Sequence, residues 1–84
     1  MKLFLISQSE NNKYDTYDSA VVAAPDEETA RVSSPFDDEL ITDWNKRWIR
    51  SAWCSSIEHV RVQYLGEAAD DIKQGVVCAS FNAG

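Results

Sequence analysis

Histidine occurs once, cysteine and proline twice each, and glycine three times in this chain of 84 residues. Each scarcity removes a class of function. His59, Cys54 and Cys78 fall short of the roughly four soft or imidazole ligands, in paired spacing, that hold a structural zinc ion. Gly66, Gly75 and Gly84 are too far apart to form a loop that cradles phosphate. Two cysteines are too few for a disulfide scaffold. Together with the lack of an export signal they point to a reducing cytosol and two free, mostly buried thiols, with a Cys54–Cys78 bridge as the alternative. The opening "MKLFLISQSENN" holds one lysine and a short apolar run, far less than a signal-peptide core or a membrane span needs. No membrane segment is expected, and the chain should stay where it is made.

The catalytic inventory is equally thin. Cys54 and His59 could pair as nucleophile and base, and such an enzyme would carry a thiol more reactive than a free cysteine, but their setting carries no nucleophile signature. Adjacent carboxylates such as Asp37/Asp38 and Asp70/Asp71 would need further ligands brought in by the fold before they could hold a divalent ion. The expectation is therefore a protein that is not an enzyme, with no catalytic residue, no metal and no cofactor.

Hydrophobic residues make up 44% of the sequence and charged residues 26%, with a net charge of −6. That is the composition of a folded domain, and the length fits one domain spanning 1–84. The acidic excess argues against direct binding to nucleic-acid backbone, which draws its affinity from Lys and Arg. The acids recur in clusters, "DEE" at 26–28, "DDE" at 37–39 and "DD" at 70–71. They read either as a solvated surface or as a negative face for a basic partner.

The apolar run "KLFLIS" (2–7) predicts an inner strand packed on both faces, and "SENNKYDTYD" (9–18) a loop. "YDSAVVAA" (17–24) reads as a second strand. "PDEETARVSSP" (25–35) reads as a two-turn helix with Pro25 near its first position and Asp26 as N-cap, ending before Pro35. Between Phe36 and Ser56 the spacing of Leu40, Ile41, Trp44, Trp48 and Ala52 fits a helix face from about Thr42, or an irregular loop pinned by tryptophans. "SIEHVRVQYLG" (56–66) alternates as a strand with Val60, Val62 and Tyr64 inward and His59 outward; "EAADDIK" (67–73) reads as a short helix capped by Gly75; "GVVCASF" (75–81) is a last strand. The resulting class is α+β: a four-stranded, mostly antiparallel sheet covered by one or two short helices, in the order β-β-α-(variable)-β-α-β.

Binding is the activity the residues favour. Tyr14 and Tyr17 lie in a polar loop where a ring is less easily buried, and can anchor a contact. The stretch "DWNKRWIRSAWC" (43–54) gathers all three tryptophans with Lys46, Arg47 and Arg50. It can be a stacking platform for a single strand, an interface patch, or a core anchor in which Trp44 and Trp48 share a buried face above a cationic rim. The candidate binding residues are Tyr14, Tyr17, Asp37, Asp38, Glu39, Trp44, Lys46, Arg47 and Arg50.

Four phrases, "MKLFLISQ", "YDTYDSAVVAA", the "EExAR" helix and "GEAADDIKQGVVCASFNAG", resemble a family of small accessory proteins encoded by bacteriophages and prophages. The resemblance covers 1–31 and 57–84. It departs before Pro35, where the resembling sequences carry an apolar residue and a histidine and this chain has Ser33 and Ser34. It implies a protein made in the bacterial cytoplasm and, by analogy with other small acidic phage proteins, an inhibitor of a host protein or of an antiviral defence such as CRISPR-Cas, acting by protein–protein contact; a homodimer is a separate expectation for the chain. The alternative is a nucleotide or small-ligand binder that uses Tyr14, Tyr17, Trp44 and the cluster Lys46, Arg47 and Arg50.

Overall fold

The computed structural model describes residues 1–82. Three of its four strands follow the sequence pattern closely, while the third starts at Arg61 rather than Ser56: the apolar run forms β1 (Lys2–Ser7), and the β-branched, small-residue segment forms β2 (Thr16–Ala24). The two pair antiparallel, with Phe4 opposite Val22 and Ile6 opposite Ala20. β3 (Arg61–Glu67) adds to the free side of β1 and β4 (Gly75–Asn82) to that of β2, giving a four-stranded antiparallel sheet in the order β3-β1-β2-β4. Two short helices, α1 (Glu27–Arg31) and α2 (Arg47–Ala52), complete the α+β architecture.

Both helices pack on the same face. Phe4, Ile6, Ala20, Val22 and Val60 point from the sheet side into a core shared with Ala30 of α1, Ile49 of α2, and Ile41, Trp53 and Cys54. The opposite face stays open where Leu5, Val21 and Cys78 stand in register across three strands. Two expectations change as a result. β1 is sealed on one face only, because no helix crosses to the other among the described residues. Cys54 is buried and free, but Cys78, also free, is exposed because its strand position turns it to the open face.

α1 begins where its sequence signals place it, with Asp26 Oδ1 accepting from the Thr29 N–H at 2.7 Å, a favourable N-cap with Glu27 and Glu28 in the first turn. Pro25 lies outside the helix, ahead of the cap. The helix stops at Arg31, short of the two turns expected, because the next residues are drawn into a hairpin: Ile41 N–H donates to Val32 O at 2.7 Å and Ser34 N–H to Glu39 O at 3.1 Å. Arg31 then ties the helix to the sheet, Nη1 donating to Val60 O at 2.6 Å.

α2 starts at Arg47 rather than near Thr42, because Asp43 closes a turn ahead of it. Its Oδ1 accepts from Asn45 N–H at 3.0 Å and its carbonyl from Lys46 N–H at 3.4 Å. That late start sets the helical phase. Ile49 and Trp53, four residues apart, enter the core; Trp44 is half-buried and Trp48 is 44% exposed. The buried pair expected at Trp44 and Trp48 is thus shifted by one helical face.

Residues 67–73 are not helical; one turn remains, with Ile72 N–H donating to Ala69 O at 3.0 Å. The segment joins β3 to β4, which lie at opposite edges of the sheet. It must cross three interstrand spacings, about 14 Å. A seven-residue helix reaches only about 10 Å, whereas extended chain of that length reaches more than about 20 Å. His59 falls in a 3₁₀ turn (Ile57–His59) before β3 rather than in the strand. Tyr64, expected in the core, is exposed on the outer strand and meets Phe4 edge-on at 5.7 Å between ring centroids.

Gly75 opens β4 with φ +137°, and a Cβ there would lie 2.8 Å from Asp38 Cγ and closer still to Asp38 Oδ1; Gly66, at φ +147°, has open space around it. Both substitutions to alanine strain the backbone, and only the first displaces a neighbour. Gly75→Ala is expected to lower stability by about 2 kcal/mol and Gly66→Ala by about 1 kcal/mol. Urea unfolding measures both, and Asp38→Ala placed on Gly75→Ala should recover most of the difference; equal losses at the two glycines would disprove the Asp38 contact.

Candidate functional site

The hairpin at 32–41 is a short loop built from local hydrogen bonds, and it carries the acidic cluster at its tip. Ser33 Oγ donates to Thr29 O at 2.9 Å, Ser34 Oγ accepts from Phe36 N–H at 3.3 Å, and both serines are buried with Pro35. Both serines therefore have a local structural use. At the tip Asp37 Oδ1 accepts from Glu39 N–H at 2.9 Å, an Asx turn. Asp38 turns the other way and lies against Gly75.

Pro35 is buried at the hairpin, and Phe36 beside it bridges two aromatic neighbours. Tyr17 of β2 and Phe81 of β4 are register partners with ring centroids 4.8 Å apart. Tyr17 meets Phe36 at 5.3 Å, and Phe36 meets Trp48 of α2 edge-on at 4.5 Å. The result is a continuous row, Phe81–Tyr17–Phe36–Trp48, drawn from four separate segments. Its ends, Phe81 at 46% and Trp48 at 44%, are exposed. Tilted and edge-on contacts at these distances are the favourable aromatic geometries, so the row holds its shape while offering ring surface to solvent.

Trp48 also forms one wall of a hollow of about 260 Å³ lined by Asp37, Glu39, Asp43, Lys46 and Ile49 among others. Carboxylates outnumber the single lysine there, and none of them enters an ion pair among the described residues, whose pairs are Arg31–Glu27 and His59–Glu10. The negative potential of the hollow is therefore not neutralised from within.

The candidate binding residues divide between this surface and others. Tyr17, Asp37, Glu39 and Lys46 belong to the aromatic row or its hollow. Asp38 packs on Gly75, Trp44 is half-buried against the core, and Arg47 is exposed at the start of α2. Tyr14 and Arg50 line a second hollow, of about 440 Å³, with Lys13 and Glu10. The set proposed for a nucleotide, Tyr14, Tyr17, Trp44, Lys46, Arg47 and Arg50, is thus not gathered in one place. Phe36, Asp43, Trp48 and Phe81 were missed as site residues, Trp48 having been expected in the core. An aromatic directly after a proline in an acidic stretch was the one local sign for Phe36; the others needed the strand register and the turn before α2.

Cys54 and His59 do not pair. Cys54 Sγ lies 3.5 Å from Ser56 O, and burial pushes its thiol up to about 11, so the thiolate is scarce at neutral pH. His59 Nε2 lies 2.8 Å from Glu10 Oε2. The same carboxylate accepts from Ser55 N–H at 2.8 Å and Ser55 Oγ–H at 2.5 Å, and these bonds hold Glu10 below the ordinary carboxylate range, with smaller help from the charges of His59 and Arg50. Among the described residues no group of three or more His, Cys, Asp or Glu side chains is placed to hold a metal ion, and no helix is long and apolar enough to cross a membrane. Comparisons with protein-family models, curated proteins and solved structures find no match to this chain.

Proposed function

We propose that this chain is a non-enzymatic binding protein that docks on a basic surface of a host protein, in the manner of a phage accessory protein acting in the bacterial cytoplasm against a defence complex such as CRISPR-Cas. The observation that carries the reading is the aromatic row Phe81–Tyr17–Phe36–Trp48, which ends in a hollow walled by Asp37, Glu39 and Asp43. Exposed tryptophan beside unneutralised carboxylates suits an incoming arginine or lysine, whose cation can lie over the ring while its donors reach the acids. Tryptophan and arginine also dominate the residues that carry interface energy. The net charge of −6 adds long-range attraction to a basic partner and repels nucleic acid.

The test is capture of a basic protein from bacterial lysate on the immobilised chain at low salt, with release as ionic strength rises toward a Debye length of about 8 Å. Trp48→Ser should weaken the captured complex by about tenfold or more. The triple variant Asp37→Asn, Glu39→Gln, Asp43→Asn should abolish salt-dependent capture while keeping the Asx acceptors at 37 and 43, so that the turns survive. Capture that persists through both variants rules out this face as the docking surface, and a lysate that yields no partner at low salt rules out the function.

A further inference from the structure

The second hollow is a different kind of site. One wall is the β1–β2 loop, residues 8–15, and the other is the end of α2 and the turn after it. Loops of this length are usually mobile, but this one is fastened at several points. The buried Gln8 side chain donates to Asn11 O at 2.7 Å and Tyr17 O at 2.9 Å and accepts from Asn11 N–H at 2.7 Å. Thr16, also buried, donates to Lys13 O at 2.5 Å, and Asn82 Nδ2 donates to the same carbonyl at 3.3 Å. Asn11 Nδ2 reaches across to Ser51 O at 3.0 Å, and Glu10 is clamped by Ser55 and His59. Asp15 takes the left-handed conformation at φ +60°, which aspartate adopts more readily than most residues.

The consequence is a polar floor whose groups are occupied by one another. Asn11, Ser51 and Ser55 spend their side chains within the fold, and the carboxylate of Glu10 already accepts from Ser55 and His59. What the hollow offers a ligand is the ammonium of Lys13, the guanidinium of Arg50, whose charge also acts on Glu10, and the ring of Tyr14, which is 74% exposed. No ion pair among the described residues takes up Lys13 or Arg50, although the chain carries 14 acidic side chains against 8 basic ones. Most Lys and Arg side chains of the chain are likewise outside ion pairs among the described residues. What sets Lys13 and Arg50 apart is that they line one hollow whose single acid, Glu10, already accepts from Ser55 and His59, which leaves the lining an excess of positive charge that suits an anion. The tyrosine beside them offers a face on which a flat ring stacks.

We infer that the hollow formed by Lys13, Tyr14 and Arg50 binds a small phosphorylated ligand with a planar ring, of the mononucleotide class. The phosphate lies between Lys13 and Arg50, the guanidinium giving paired donors and the ammonium a point charge, and the ring lies on Tyr14. The volume falls within the range of small-molecule sites. The site is separate from the aromatic row and stands or falls independently of the partner reading.

The experiment is titration of the ¹⁵N-labelled full chain with adenosine 5′-monophosphate, adenosine and inorganic phosphate, followed by amide chemical shifts. The monophosphate should give saturable shifts confined to residues 10–15 and 50–55, with a dissociation constant at or below about 1 mM. Adenosine and phosphate should each bind at least about tenfold more weakly, as should the monophosphate to Lys13→Ala, Arg50→Ala and Tyr14→Ala, while Lys73→Ala leaves binding unchanged. Phosphate binding as tightly as the nucleotide overturns the planar-ring assignment. Shifts that fail to saturate by roughly 5 mM, that map elsewhere, or that persist in the three alanine variants overturn the site.

Discussion

Trp53→Ala is expected to remove about 3–5 kcal/mol of stability, a large share of the roughly 4–13 kcal/mol that a chain of this length has at about 0.05–0.15 kcal/mol per residue. Trp53 has 0% exposure and is the largest fully buried side chain. It sits one residue past α2, where its N–H still bonds Ile49 O at 2.8 Å, and packs in the cluster that joins both helices to the sheet. Alanine would leave a cavity that a backbone fixed by neighbouring hydrogen bonds cannot close. The indole Nε1–H, however, is buried with no hydrogen-bond partner, a standing cost of about 1–3 kcal/mol for such a group. Trp53→Phe removes that orphan donor along with part of the volume, and its loss should be less than half that of Trp53→Ala. Urea unfolding followed by far-UV circular dichroism reads both variants. A loss below about 2 kcal/mol for alanine would mean that the core closes over the gap and that Trp53 is not its anchor.

Gln8→Leu carries the second large effect, about 2–4 kcal/mol. The two side chains are similar in volume and Gln8 is 6% exposed, so packing changes little. What is lost is the set of bonds to Asn11 N–H, Asn11 O and Tyr17 O, leaving three backbone groups without that partner beneath the loop. Hydrogen exchange at Asn11 and Lys13 should quicken along with the drop in stability, because the loop loses its inner fastening. Gln8→Glu makes the same point through pH. Its carboxylate keeps the acceptor for Asn11 N–H but faces two carbonyl oxygens, so the folded state favours the protonated acid and the folded pKa rises above the unfolded one. The folded state then binds more protons, and the variant should gain stability as pH falls through the folded value. A Gln8→Leu protein as stable as the parent, or a Gln8→Glu protein indifferent to pH, would show that water replaces these bonds.

The strands could be read along the chain because their signals are local. β1 matches its apolar run, β2 and β4 match their β-branched segments within a residue, and Asp26 caps α1 as its place before two glutamates requires. The helix expected at 67–73 failed for a reason no local window contains: the segment must cross the sheet from one outer strand to the other. The tryptophans failed by phase, since a turn at Asp43 moved the start of α2 and so decided which ring is buried. The site residues were legible only as types. That Tyr17 would join Phe36 and Trp48, or that Tyr14 and Arg50 would share a hollow with Lys13, depends on strand register and on bonds between segments some forty residues apart, such as Asn11 to Ser51.

Taken by itself, the sequence determined the α+β class, the first, second and last strands, the acidic balance and the scarcity of cysteine and histidine. Those follow from composition and from patterns a few residues long, in which side-chain period and charge act on the chain wherever it goes. Only the tertiary structure decided which tryptophan anchors the core, which cysteine faces solvent, and how one presumed binding strip becomes two surfaces of opposite character. Those depend on where packing places segments that are distant in sequence, and a linear pattern carries no distance between them.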